Sequence, residues 1–288
     1  YTITSAPLYY NGMVISGFAG AEFAARGRVK AYSAADGSLL WTFYTVPGPG
    51  EFGHDSWPAD NDAWKTGGGT VWHTPAVDPE LGMIYFSTGN PGPDYNGALR
   101  TGDNLFTASI VALDVYTGEY RWHFQQVHHD IWDFDAPNPV VLFDLDYNSV
   151  LRKGLAQAGK TGWVYILDRI SGEPLVGIDE RPVPQEPRQA TAATQPYPAG
   201  DSFVSQTLDI PPEGFRLVNN GAIFTPFWED PVLLRRSEAN WPPSTVDPVK
   251  GVMYVCAGER QAAYSTREGV EQVENGDRYT GGSMSFAP

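Results

Sequence analysis

"AYSAADGSLLWTF" (31–43), "ALDVYTGEYRWHF" (112–124) and "ILDRISGEPLVGI" (166–178) are three versions of one pattern. Each brings an apolar strand end to a Ser or Asp, turns, closes the turn on Gly37, Gly118 or Gly172, and starts a second strand-like run. The first two place a tryptophan four residues after the glycine, Trp41 and Trp122. A second unit also recurs, "AVDPELGMIYFSTG" (76–89) and "TVDPVKGVMYVCAG" (245–258), with Asp-Pro opening the turn, Gly closing it and Tyr three residues later. Each unit is a hairpin with its turn chemistry built in, because Asp bonds its own following backbone and Gly accepts the positive φ. Repeated hairpins with a glycine turn and a docking tryptophan predict an all-β fold, a β-propeller whose blades pack flat face on flat face. A β-sandwich would use the same hairpins and is the structural alternative. The turn glycines are unevenly spaced, so long loops are inserted between some blades, and loops on one face of a rigid scaffold are where sites are usually built.

The rest of the chain continues the pattern. Runs such as "GMVISG", "SIVALD" and "WVYILD" are short, apolar and bounded by turn residues. No stretch holds a 3.6-residue apolar period for long, so helix is expected to be minor. The 288 residues are 42% hydrophobic and include 9 Trp, 15 Tyr and 14 Phe, ample for a core. The net charge of −15 argues against nucleic acid or anionic membrane as a partner, since both need a basic face. It suits a basic protein partner, or serves solubility alone. Cys256 is the single cysteine, which excludes an intrachain disulfide and any Cys-based zinc spacing. No apolar run is long enough to span a bilayer. The chain opens on Tyr1 inside what reads as a strand, which suggests that a segment preceding it has been removed. "ERPVPQEPRQATAATQPYPAG" (180–200) carries five prolines and reads locally as polyproline-like, here taken as a long surface excursion within one domain spanning 1–288.

The densest polar cluster is "HHDIWDFDAP" (128–137). Adjacent His128 and His129 would point to opposite faces of an extended strand, and no HExxH spacing exists, so zinc is not indicated. With Asp130 they read as a polar, structural approach to the loop. On an extended chain Asp133 and Asp135 would share one face, with Trp132 and Phe134 pointing into the blade.

"GFAGAEFAARGRVKAY" (17–32), "GGGTVWHTPAVDPELGMIYFSTGNPGP" (67–93), "GDNLFTASIVALDVYTGEYRWHFQQVHHDIWDFDAP" (102–137) and "GKTGWVYILDR" (159–169) occur in this order. Together they resemble the pyrroloquinoline quinone (PQQ) dependent alcohol dehydrogenases, the methanol and ethanol quinoproteins. The resemblance runs from about residue 1 to about 258 and implies an eight-bladed propeller, of which this chain covers about four blades. It implies that Glu22 and Asn90 ligate a metal, that Gly20 and Ala21 let the backbone approach the cofactor's edge, and that Thr4 and Thr70 bind its carboxylate and rim. Ala19 stands where relatives carry a serine, removing one hydrogen bond. Trp72 becomes the floor on which the quinone stacks, and Lys160 a cation beside its oxygens. "EANWPP" (238–243) resembles a later contacting segment and adds Asn240 and Trp241. Asp133 matches the catalytic aspartate, and Asp135 an aspartate that ligates the metal in lanthanide-dependent members, so a lanthanide(III) site is expected in preference to Ca²⁺.

Plainer readings stand beside each assignment. Glu22 would serve as a solvated turn residue, Trp72 as a docking residue, Asn90 as a turn opener before Pro91, Lys160 as a snorkelling surface lysine and Asp135 as a cap before Pro137. The expected activity is oxidation of a small alcohol, polyol or sugar, with electrons passed to a cytochrome c type acceptor in the periplasm or outside the cell. The competing class is a noncatalytic PQQ-repeat propeller used as a binding or assembly scaffold.

Overall fold

The first repeated hairpin closes a four-stranded antiparallel sheet, β1 (Leu8–Tyr10), β2 (Met13–Ser16), β3 (Arg28–Ser33) and β4 (Leu39–Tyr44), paired in chain order. The second closes an identical arrangement of β5 (Ala76–Asp78), β6 (Met83–Ser87), β7 (Ser109–Asp114) and β8 (Tyr120–Gln125). These and the elements below come from a computed structural model that describes residues 1–287 apart from 148, 209, 212, 216, 238, 268–273 and 275. A third sheet has three strands, β9 (Val141–Tyr147), β10 (Val150–Ala158) and β11 (Val164–Asp168). Beyond it lie the pair β12 (Ile178–Pro182) and β13 (Thr194–Pro198), strand β14 (Val232–Ser237), the ribbon β15 (Thr245–Asp247) and β16 (Val252–Tyr254), and then β17 (Glu259–Thr266) and β18 (Gly282–Phe286). Strand β14 pairs with β17, and β17 with β18. Helix among the described residues is confined to short 3₁₀ turns such as Ala21–Phe23 and Pro187–Gln189.

The repeats hold to the residue. Tyr32 pairs with Leu39 in the first sheet and Leu113 with Tyr120 in the second. In the third repeat the equivalent residue is Pro174, which makes only an isolated bridge with Leu167, and the second strand expected after Gly172 does not form. Leu175 N still donates to Ile166 O at 2.9 Å, but proline has no N–H to give the ladder and no strand follows from there. The Asp-Pro turns are equally regular: Asp78 Oδ1 accepts from the amides of Glu80 and Leu81, and Asp247 Oδ1 from those of Val249 and Lys250.

Tryptophan joins one sheet to the next. Trp41 Nε1 donates to Val115 O at 3.1 Å, and Trp122 Nε1 donates to Arg169 O at 3.1 Å. Each indole lies on the turn glycine of the following repeat. A Cβ on Gly118 would sit 2.7 Å from the Trp41 ring, and one on Gly172 2.7 Å from the Trp122 ring. Both glycines also hold positive φ, 72° and 79°, so position and conformation together demand glycine. The middle sheet is covered on both faces: Ile84, Phe86, Val111 and Leu113 pack towards the first sheet, Tyr85, Ile110, Ala112 and Trp122 towards the third. This is why β6 is apolar at four successive positions instead of alternating with polar residues.

The proline-rich stretch is a hairpin end, with β12 and β13 paired from Ile178–Pro198 to Pro182–Thr194. Strand β12 is largely exposed, but β13 is partly to fully buried and the tip is not a surface element. Gln189 is fully buried, accepts from Gly97 N at 2.8 Å and donates to Thr266 Oγ1 at 2.6 Å. An amide with both ends satisfied anchors the excursion to the core.

Candidate active site

Four loops meet at one side of the first two sheets. Gly68 N donates to Ala25 O at 2.9 Å and Gly69 N to Asn90 O at 2.9 Å, so the triple-glycine loop links the Glu22 segment to the Asn90 turn. A Cβ on Gly68 would lie 2.6 Å from Asn90 O, which makes this approach possible only for glycine. Gly89 N donates to Thr70 O, and Ala136 N to Thr88 O at 3.1 Å, which adds the aspartate loop. Thr4 is exposed and donates from Oγ1 to Trp72 O at 3.0 Å, while Ala19 N donates to Thr2 O. Gly20, at φ 113°, precedes the 3₁₀ turn that carries Ala21 and half-buried Glu22.

The aspartate loop is not extended. Asp133 has φ 58°, and no strand covers it. The expectation that strand alternation would align Asp133 with Asp135 is therefore corrected: Asp130 shapes the loop instead. Its carboxylate is fully buried and accepts from Trp132 N and Phe134 N, each at 2.8 Å. Burial pushes Asp130 up to about 7, with the Trp132 amide opposing. Trp132 and Phe134 are buried and stacked at 5.9 Å, on the core side as expected. His128 contacts Gln125 and Glu180, and His129 is buried between the carbonyls of Gly102 and Gln189. Both histidines are structural.

The aspartates converge on cations. Lys160, only 4% exposed, lies 3.3 Å from Asp133 Oδ1 and forms an ion pair with Asp135 Oδ1. Arg236, likewise buried, reaches Asp133 Oδ2 at 2.9 Å and also donates to Trp132 O. Trp72 Nε1 donates to Asp135 Oδ2 at 3.1 Å. Burial raises both carboxyl pKa values, but the outcomes differ. Lys160 and Arg236 together outweigh burial at Asp133 and hold it below the usual carboxylate range. At Asp135 burial wins, opposed by Lys160 and reinforced by Asp133, and its pKa is raised.

On a second flank the cation present, Arg100, gives its hydrogen bonds to other groups. Asn90 and Asp94 are each 4% exposed on the turn after β6, and a Cβ on Gly92 between them would lie 3.7 Å from Ala21 O. Asp94 is pushed well above the usual range by burial first, then by Asp133 and Glu22. Its Oδ1 has no hydrogen-bond partner among the described residues. Nearby Arg100 is fully buried, but its donors go to Pro93 O, Asn104 Oδ1 and Asp130 O.

No three His, Cys, Asp or Glu side chains among the described residues already converge as a metal-holding group. The donor chemistry nonetheless fits a hard cation. Glu22, Asn90 and Asp135 offer oxygens on adjoining loops, and the unsatisfied Asp94 Oδ1 marks a shortage of positive charge at this flank. Asn240 adjoins the same region through its backbone, accepting from Asn138 Nδ2 at 2.9 Å, whereas Trp241 is 63% exposed. Glu238 of that segment lies outside the described residues. An apolar cavity of about 570 Å³ lies elsewhere, between the third sheet and the β15–β16 ribbon, lined by Phe143, Ile166 and Met253. It holds none of this chemistry. The site residues missed by reading the sequence are Arg236 and Asp94. Arg236 gives no signal in a strand 100 residues away, while Asp94 was visible as an acid four positions after Asn90.

Sheets joined by indoles, with a polar site built on their loops, define a propeller of the quinoprotein kind. The chain belongs to the PQQ family of the glucose/ethanol/alcohol dehydrogenase β-propeller domain, whose family model matches residues 1–281. It is 43% identical over 185 residues to the quinohemoprotein alcohol dehydrogenase ADH-IIG of Pseudomonas putida, covering 60% of this chain and 26% of that protein. It is 40% identical over 195 residues to the quinoprotein alcohol dehydrogenase PedH of Pseudomonas putida, covering 62% of this chain and 32% of the relative. Among solved structures, the quinohemoprotein alcohol dehydrogenase of Comamonas testosteroni superposes with a TM-score of 0.72 at 27% identity, over 98% of this chain and 42% of that one. A europium-containing methanol dehydrogenase does so with a TM-score of 0.71 at 27% identity, over 99% of this chain and 49% of that one. The chain thus spans about a quarter to a third of the length of the curated relatives it matches.

Proposed function

We propose that the chain supplies the cofactor-binding face of a quinoprotein dehydrogenase that oxidises a primary alcohol or related hydroxyl compound. The observation that carries this reading is the meeting of Asp133, Asp135, Lys160 and Trp72 beside the Glu22 and Asn90 loops. Bound PQQ would supply a carbonyl carbon as hydride acceptor, and a bound metal ion would supply Lewis-acid polarisation. Glu22, Asn90 and Asp135 would hold the metal. Trp72 would stack under the flat ring system, its orientation fixed by the bond to Asp135. Thr4, Thr70 and the small residues Gly20 and Ala21 would border the ring edge, with Asn240 and Trp241 on the far side.

Asp133 takes the hydroxyl proton on its carboxylate. Lys160 and Arg236 keep it ionised and so ready to accept, at the cost of basicity. Lys160 also holds a buried positive charge beside Asp133 and Asp135, which would favour an anionic form of a bound quinone. Three carboxylates, at Glu22, Asp133 and Asp135, support a trivalent lanthanide over Ca²⁺, because ligand charge tunes affinity for hard cations. The acidic surface suits a basic cytochrome c type acceptor, and periplasmic work is the proposed setting.

Replacement of Asp133 in the intact protein tests the assignment. Asp133→Ala should retain the absorbance of bound PQQ and lose turnover by about 10²–10⁴-fold. Wild-type turnover in that variant would remove Asp133 from the role of base, and equal or better activity with Ca²⁺ than with La³⁺ would overturn the metal preference.

A further inference from the structure

Two carboxylate oxygens among the described residues are buried without a hydrogen bond, Asp135 Oδ1, which pairs with Lys160, and Asp94 Oδ1. The Asp94 side chain is buried on the turn that presents Asn90. No ion pair reaches it among the described residues either, and the neighbouring cations bond elsewhere: Lys160 to Asp133 and Asp135, Arg236 to Asp133, and Arg100 to two carbonyls and Asn104. The other charges that act on Asp94 most strongly are Asp133 and Glu22, both repulsive. A buried acid facing two other acids with a free oxygen is costly unless something positive joins it.

We infer that Asp94 is a further anionic member of the cation site, adding its free carboxylate oxygen to Glu22, Asn90 and Asp135 and biasing that site towards trivalent over divalent ions. This rests on the reading of Glu22, Asn90 and Asp135 as metal-holding residues. Around that position four carboxylates, Glu22, Asp94, Asp133 and Asp135, outnumber three fixed cations, Lys160, Arg236 and Arg100. A trivalent ion compensates the surplus more fully than a divalent one, so the gain from Asp94 grows with the charge of the ion.

The test uses intact protein free of PQQ and reads ion binding directly. Tb³⁺ is titrated by sensitised luminescence, and Ca²⁺ is followed by its competition with Tb³⁺. Asp94→Asn should weaken Tb³⁺ at least about tenfold and Ca²⁺ less, lowering the Tb³⁺/Ca²⁺ preference, while the ion-free protein melts no lower than wild type. Asp94→Ser also drops the charge and should give the same loss, which guards against a folding defect in one variant. Tb³⁺ affinity within twofold of wild type in both variants would overturn the role of Asp94. A parallel Glu22→Gln variant separates the two readings. If Glu22→Gln weakens Tb³⁺ and the Asp94 variants do not, only the Asp94 inference falls. If wild type binds no Tb³⁺, or Glu22→Gln binds it unchanged, the site reading falls and the inference with it.

Discussion

Trp122 and Asp135 are both buried, 6% and 2% exposed, and each has polar atoms to satisfy in a dry setting. Trp122 gives its one N–H to one carbonyl and rests on a glycine, a contact repeated by Trp41 one sheet earlier. Asp135 shares a single ammonium with Asp133 and takes an indole N–H from Trp72, and Asp133 in turn acts on a further acid, Asp94, whose Oδ1 has no hydrogen-bond partner among the described residues. The seam is closed and self-sufficient; the loop cluster is short of positive charge. Regions built for stability pair each buried group locally, and regions built for chemistry leave charge that a ligand completes.

Truncating the seam should have the largest effect. Trp122→Ala removes an indole packed on Gly172 and leaves the Arg169 carbonyl with the Tyr85 hydroxyl alone, and is expected to cost about 3–5 kcal/mol in urea unfolding. Trp41→Ala should fall in the same range, and a cost under about 1 kcal/mol for either would break the equivalence of the two seams. Within the site, Lys160→Met leaves buried Asp135 without a cation and Asp133 with Arg236 alone, and should destabilise the ligand-free protein by roughly 3 kcal/mol at neutral pH, in the same measurement. The further change Asp135→Asn should restore part of that loss. No restoration would mean that Lys160 is held by packing and not by charge.

A smaller effect concerns pH. Burial holds His123 down to about 4, where its Nδ1 faces the Tyr120 hydroxyl at 2.8 Å, and burial also lowers His73, whose Nε2 accepts from Ser87 N at 3.0 Å. Both are neutral when folded and take up protons near pH 6.5 when unfolded. The stability they confer is full above pH 6.5 and declines as the pH falls towards 4. A His123→Phe variant should lose about 2 kcal/mol less than wild type between pH 7.5 and pH 4.5. Parallel losses in the two proteins would show that His123 is not titrating as described.

The hairpins were legible because their determinants lie within a few residues: Asp78 and Asp247 cap their own turns, and Gly118 and Gly172 accept both the φ and the indole. The candidate residues Glu22, Trp72, Asn90, Asp133, Asp135 and Lys160 were legible through the motifs that carry them. What escaped depends on distance or on a single residue's conformation. Arg236 arrives at Asp133 from a strand 103 positions away. The φ of Asp133 is imposed by amide bonds to Asp130, which no period-two pattern contains. Pro174 was visible, yet its power to stop a strand shows only when Leu167 is seen facing it.

The indole seams carry one more consequence. Each tryptophan is encoded in one sheet and received by a glycine in the next, so neither sheet owns the contact that holds the two together. Folding stability then passes from neighbour to neighbour along the row, as in a line of coupled units, and damage at one junction is felt most by the two sheets that meet there.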